Sequence, residues 1–157
     1  MTRDDSIYEQ LSAWQPQGDG PHLLRVALPG GRLDLTAERA DEMVCRLTDL
    51  RLTTGAVESC TAAQLTERAV KASERVTALL EPLRIYEVDA GKSVAILRSA
   101  NPTERTGELF YYELTLNGLY AADLKRFKAG KANAGRTATP FVLTHEAVAK
   151  VVESLVG

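Results

Sequence analysis

Cysteine and histidine are scarce in this sequence, with two of each among 157 residues. Cys45 and Cys60 are too few for a disulfide framework, and they are expected to be reduced. His22 and His145 lie near opposite ends of the chain, and no two ligand-type residues have the close spacing of a zinc site. The sequence therefore predicts no metal and no cofactor.

Long apolar runs are also absent. Residues 1–6 are polar rather than the apolar core of a secretory signal, and no segment is long enough to span a bilayer. The expected location is cytoplasmic, with no membrane partner. A formal net charge of −2 gives no bulk attraction to nucleic acid. The length is that of one domain, residues 1–157.

The stretch EVDAGKSVAIL, residues 87–97, contains GKS, the sequence with which a phosphate-binding loop ends. Such a loop needs a glycine where Tyr86 stands, and a helix must follow it. Val94–Leu97 has strand character instead, so the pattern predicts a hairpin of residues 84–88 and 93–99. Gly91 in the turn is available for a positive φ.

Helices are predicted from caps and from apolar residues at helical spacing. A short helix should hold Ile7, Leu11 and Trp14 before Pro16. Three capped amphipathic helices are predicted over residues 36–50, 61–80 and 144–155. The second is the best specified, because Thr61 and Gln64 match a capping box.

Strands are predicted where the apolar period changes to two. A hairpin is expected from 23–28 and 32–35, and further strands over 84–88, 93–99, 108–115 and 119–127. A three-residue loop, Leu116–Gly118, would pair Leu114 with Tyr120. The opposite face of this hairpin would turn Tyr111, Glu113 and Thr115 toward solvent or a partner. The predicted fold is α+β, an antiparallel sheet of about four to six strands with helices on one face.

Residues 35–47 and 143–155 resemble each other in sequence. Leu, Thr, Glu, Val and Leu coincide at a constant offset, as do the apolar stripe positions. One interpretation is two pseudo-symmetric strand–loop–strand–helix units, at about 22–50 and 119–156. The other is that capping and amphipathic spacing alone generate the identities.

Candidate catalytic residues are few. Cys60 precedes the capped helix, where it is either a hydrophobic staple against Leu65 or a thiol activated by the helix amides. His145 and Glu146 are expected to be solvent-exposed first-turn residues, without a recognisable nucleophile nearby. No local catalytic motif is present, so no catalytic residue is predicted.

The strongest candidate for a site is the basic segment 124–136, LKRFKAGKANAGR, in an otherwise acidic chain. Its proposed ligand-binding residues are Lys125, Arg126, Lys128, Lys131 and Arg136. As a glycine-containing loop it could bind a phosphate backbone or an acidic surface. The competing interpretation is a solvated hairpin end whose lysines prevent strand-to-strand aggregation.

Three functions follow from these observations. The leading one is a non-enzymatic protein-interaction or assembly module, binding a protein partner or a second copy of itself. The alternative is a binder of an anionic ligand, nucleic acid or a phosphate metabolite, through residues 125–136. The third is an enzyme of unrecognised type, because an active site assembled from distant strands leaves no local motif.

Overall fold

The computed structural model describes residues 2–130 and 135–156, apart from the side chain of Asp4. This part of the chain forms three helices and ten strands. The helices are α1 (Arg3–Ala13), α2 (Ala62–Arg75) and α3 (His145–Val156). The strands are β1 (His22–Leu28), β2 (Gly31–Ala40), β3 (Val44–Thr54), β4 (Leu83–Asp89), β5 (Val94–Ser99), β6 (Thr103–Arg105), β7 (Glu108–Asn117), β8 (Ala121–Gly130), β9 (Arg136–Thr139) and β10 (Phe141–Thr144).

The strands form one antiparallel sheet in the order β1-β2-β3-β8-β7-β5-β4. Strand β8 pairs with β3 near its start and with β9 near its end, while β10 pairs with the other end of β3. Strands β9 and β10, separated by Pro140, therefore fill the fork between β3 and β8. The α+β class and the antiparallel sheet are confirmed. The sheet has more strands than the four to six predicted.

The helix predicted over 36–50 is wrong, because this segment lies in β2 and β3. Leu33, Leu35 and Ala37 alternate as fully buried residues of β2. The Asp41 carboxylate then accepts hydrogen bonds from the Met43 and Val44 amides, which makes a turn between the strands. Met43, assigned to the apolar stripe, is 69% exposed. Apolar residues on two strands joined by a tight turn had the spacing of a helix.

The β7–β8 hairpin has a different register from the predicted one. Leu114 lies opposite Leu124 rather than Tyr120, and Asn117 lies opposite Ala121. The three-residue loop is therefore 118–120, in which Gly118 has a φ of 51°. A shift of four residues leaves every side chain on its predicted face, because strand side chains alternate with a period of two.

The β4–β5 hairpin confirms that the GKS residues belong to a turn. Asp89 lies opposite Val94, and the Asp89 carboxylate accepts a hydrogen bond from the Lys92 amide. In this turn the residue with positive φ is Ser93, at 55°, and Gly91 does not take one.

The remaining helix predictions are confirmed, with one difference in length. Thr61 and Gln64 form the capping box of α2, and the Ala147 amide donates to Thr144 Oγ1 at the start of α3. Helix α2 stops at Arg75 rather than continuing to residue 80. Val76 and Leu79 still reach the core, but from extended and turn backbone.

All three helices pack on the same face of the sheet. Their buried residues join one cluster with the sheet side chains that alternate inward, among them Leu50, Leu97 and Leu124. In the described part of the chain, no helix covers the opposite face. We call it the open face; it carries the residues between the buried ones, such as Tyr111, Glu113 and Lys125.

The two segments of similar sequence adopt different structures. Residues 35–47 run from β2 through a turn into β3, whereas residues 143–155 enter α3. The first segment therefore lacks the helix that the pseudo-symmetric interpretation assigned to it.

Candidate functional site

The predicted basic loop belongs to two strands. Lys125, Arg126 and Lys128 lie in β8 and Arg136 in β9, while Lys131 lies outside the described residues. Because side chains alternate along a strand, Lys125 is on the open face, and Arg126 and Lys128 are on the helix side. Arg136, opposite Ala129, returns to the open face. The four described residues therefore do not form one cationic surface.

Arg126 has a structural role on the helix side. Its Nη2 lies 2.9 Å from Glu81 Oε2, and both side chains are largely buried. Its guanidinium carbon lies 4.3 Å from the centre of the Tyr112 ring. These contacts tie the segment before β4 to the long hairpin.

Arg136 instead belongs to a cluster built around Glu113 on the open face. Arg136 donates from Nη1 to Glu113 Oε1 at 2.8 Å and from Nη2 to Oε2 at 3.1 Å. Arg98 Nε donates to the same Oε1 at 2.9 Å. The Glu113 side chain is only 9% exposed. Two arginines thus share one carboxylate, which leaves one positive charge without a counter-charge in the trio.

Aromatic rings fix the planes of both guanidinium groups. The guanidinium carbon of Arg98 lies 3.7 Å from the centre of the Tyr86 ring, and that of Arg136 lies 3.7 Å from the centre of the Phe127 ring. Arg136 Nη1 also donates to the Tyr111 hydroxyl at 3.2 Å. Stacked, hydrogen-bonded arginines lose little further freedom on binding, so the surface is preorganised. The arginine–aromatic cluster comprises Tyr86, Arg98, Tyr111, Glu113, Phe127 and Arg136.

The ionisation of Glu113 follows from this geometry. Burial alone raises its pKa, but the hydrogen bonds and charges of Arg136 and Arg98 outweigh burial and leave the pKa below its ordinary value. The hydrogen bond to Glu113 raises the pKa of Arg136 in turn. Glu113 and Arg136 are therefore both charged at neutral pH.

A second pair of arginines shares a carboxylate at the other end of the open face. Arg25 Nε and Arg32 Nε each lie 2.9 Å from an oxygen of Asp34. Arg51 and Arg84 are exposed, and within residues 2–130 and 135–156 neither makes a salt bridge. Arg51 lies opposite Asp34 on β2 and Asp123 on β8, whereas Arg84 lies opposite Arg98 on β5.

A groove of about 240 Å³ lies beside the arginine–aromatic cluster, at the edge of the sheet. We call it the Tyr86 groove. It is lined by Arg84, Tyr86, Arg98, Ser99, Ala100, Pro102, Leu109 and Tyr111. Its lining therefore includes two tyrosine rings and two guanidinium groups.

Asp49 and Asp123 form a carboxylate pair on the open face, from β3 and β8. Asp49 Oδ1 and Asp123 Oδ1 are shielded from solvent and have no hydrogen-bond donor in the described part of the chain. Burial, followed by the contact with Asp123, raises the pKa of Asp49 to about 7. A proton shared between the two acids would satisfy both oxygens.

His145 is buried, at 1% exposure, which corrects the prediction that it faces solvent. Its Nδ1 lies 3.5 Å from Ser12 Oγ, and its ring makes an edge contact with Tyr8. Burial lowers the pKa of His145, although the Asp41 charge opposes the shift. The ring is shielded from solvent, and its Nε2 has no hydrogen-bond partner in the described part of the chain. Glu146 is exposed, as expected.

The cysteines do not suggest reactive chemistry. Cys45 is fully buried, and burial raises its pKa to about 12, which keeps the thiol protonated. Cys60 is partly buried and packs against the core, as a hydrophobic staple would.

Within the residues that the structure describes, no group of three or more His, Cys, Asp or Glu side chains is placed to hold a metal ion. No helix there is long and apolar enough to cross a membrane.

Sequence reasoning missed Arg98, Tyr86 and Asp49 as members of the open face. The sequence did place Glu113 and Tyr111 on the outward face of their strand, so alternation along that strand was the signal that could have found part of the cluster. The others come from strands whose neighbours depend on the sheet order, and no local pattern specifies that order.

Comparison of the chain with protein-family models, with curated proteins and with solved structures finds no match. The chemistry of the open face lies in its stacked arginines and aromatic rings, which are groups suited to contact with another molecule.

Proposed function

We propose that the protein is a non-enzymatic interaction module that binds a protein partner through the open face of its sheet. The observation that carries this proposal is the arginine–aromatic cluster on a sheet face that no described helix covers. A sheet normally buries an apolar face against another layer, and here the helix side alone meets that need. The preorganised second face is left for a partner.

The residue types on the open face support this function. Arginine and tyrosine are enriched in protein interfaces and carry much of their binding energy. Tyr86 is 55% exposed, so its ring is accessible although Arg98 stacks on it. Rings and guanidinium groups held in place by Glu113 would lose little entropy when a partner binds.

The alternative, an anion binder built from residues 125–136, has less support. Arg126 is paired with Glu81, and Arg136 shares Glu113 with Arg98. Strand alternation also separates Lys125 from Lys128. The open face also has an exposed arginine outside this segment, Arg84, which lies opposite Arg98.

Site-specific photocrosslinking in the cells of origin tests the proposal. A benzophenone amino acid would replace Tyr86 or Arg51 on the open face, and Val70 on the outer side of α2 as the control. Val70 is 39% exposed, so the control probe is also accessible. We expect one or a few proteins crosslinked from both open-face positions and not from position 70. Equal crosslinking from all three positions, none from the open face, or crosslinks only to nucleic acid would overturn the proposal.

A further inference from the structure

We infer that the Tyr86 groove binds an extended acidic peptide segment of a partner, with one apolar or aromatic side chain in the groove and a carboxylate beside Arg84. This inference rests on the proposed function and names the partner's chemistry at one end of the open face.

The size of the groove indicates a side chain rather than a whole small molecule. Pockets that enclose drug-sized ligands have volumes of about 300–1,000 Å³, and this groove has about 240 Å³. Tyr86 and Tyr111 supply rings on which an aromatic or aliphatic anchor can pack, and Pro102 and Leu109 add apolar surface.

The charge around the groove selects an acidic ligand. Arg84 and Arg98 are direct cross-strand partners on β4 and β5. Like charges placed opposite each other on neighbouring strands destabilise a sheet. Glu113 compensates Arg98 only in part, since it also binds Arg136. A ligand carboxylate beside Arg84 would relieve this repulsion, and arginine binds carboxylates with two parallel hydrogen bonds.

The position of β4 indicates an extended ligand. Strand β4 is the last strand in the sheet order and, within the described residues, pairs only with β5. Its outer backbone groups are therefore available to an added strand, although the irregular pairing between Ile85 and Glu87 limits the length that can pair regularly. Glu87 is exposed on the same strand and would repel acid at that end. The ligand's acidic end should therefore lie toward Arg84.

The test selects a phage-displayed library of random linear peptides on the wild-type protein. We expect an enriched motif with an aromatic or aliphatic residue next to Asp or Glu. A synthetic peptide of that motif, labelled with a fluorophore, is then titrated by anisotropy. Arg84→Glu and Tyr86→Ala should each weaken its binding by at least about tenfold, and higher salt should weaken it too.

The control is Arg75→Glu, the same charge reversal at an exposed position in the last turn of α2. It should leave the affinity unchanged. Both groove positions are exposed, so their variants are expected to fold, which circular dichroism verifies. No enriched motif, a basic motif, or a motif whose binding ignores Arg84 and Tyr86 would overturn the inference.

The two proposals fail separately. Protein crosslinks from the open face without a groove-dependent peptide would refute the acidic segment and leave the interaction module standing. A short deoxythymidine oligonucleotide is titrated in parallel. Oligonucleotide binding that is lost in Arg84→Glu, without peptide binding, would assign the groove to single-stranded nucleic acid and overturn the inference.

Discussion

At the scale of single residues, the open face combines two kinds of buried carboxylate. The pKa of Glu113 is lowered because two guanidinium groups bind it, which outweighs burial, and the pKa of Asp49 is raised by burial and then by the neighbouring Asp123. Two carboxylates on one sheet face thus have opposite pKa shifts. Both are raised by burial, but β5 and β9 supply arginines to Glu113, whereas β8 places Asp123 beside Asp49.

The Asp49–Asp123 pair predicts an unusual dependence of stability on pH. The raised pKa means that folded Asp49 keeps a proton which the unfolded chain has released above about pH 4. The free energy of unfolding should therefore fall as pH rises from about 4 to about 7, and level off above that. Asp49→Asn supplies a permanent N–H donor to Asp123 and removes this loss.

We expect Asp49→Asn to raise the free energy of unfolding by about 1–2 kcal/mol at pH 8 and by less at pH 5. This is a fraction of the roughly 4 kcal/mol that the shift corresponds to, because partial exposure screens the charges. Urea unfolding at the two pH values measures it. Asp34→Asn, which removes a carboxylate between two arginines, is the control and should not stabilise. A gain independent of pH would contradict the shared proton.

At the scale of elements, the sequence predicted several structures whose signals lie close together in the chain. The capping box of α2, the Thr144 cap of α3 and the strands of the three hairpins were predictable because caps, turns and alternation lie within a few residues. The segment 36–50 was mispredicted because the Asp41 turn places Ala40, Val44 and Leu47 at helical spacing. The pattern of apolar residues cannot distinguish a helix from two short strands around such a turn.

The candidate site was less predictable than the elements. That Lys125 and Arg136 bind a ligand stays a prediction, and their neighbours depend on which strands are adjacent. Arg98 and Glu113 are fifteen residues apart and meet only because β5 pairs with β7. Pairing of distant strands depends on packing of the whole core, which no short motif encodes.

The capping box of α2 gives a prediction at this scale. Thr61→Ala removes the oxygen that accepts from the Gln64 amide at 3.1 Å, and should lower the free energy of unfolding by about 1 kcal/mol. The control is Thr66→Ala, an exposed interior position of the same helix, where alanine's higher helix propensity should stabilise by a few tenths of a kcal/mol. Urea denaturation measures both. Equal effects of the two substitutions would contradict the capping account.

At the scale of the whole molecule, one ionisable group on each face of the sheet affects how stability depends on pH, and the two effects have opposite signs. Asp49 lies on the open face, and His145 lies on the helix side between α1 and the β2–β3 turn. Acidification from pH 7 to pH 5 protonates Asp49 in the folded state and favours folding. The same change protonates His145 more readily in the unfolded chain and favours unfolding.

The sign of the histidine effect follows from its lowered pKa. Below the ordinary value of 6.5, the unfolded chain binds a proton that folded His145 does not, so stability falls with decreasing pH, by at most about 1.4 kcal/mol per pH unit. In the wild type this loss is partly cancelled by Asp49. In the Asp49→Asn variant, the free energy of unfolding should therefore fall more steeply below pH 6.5 than in the wild type. Adding His145→Gln to that background should flatten the curve, and urea unfolding between pH 5 and pH 7 compares the two. Curves of equal slope for the single and double variants would show that His145 does not control the stability of the fold.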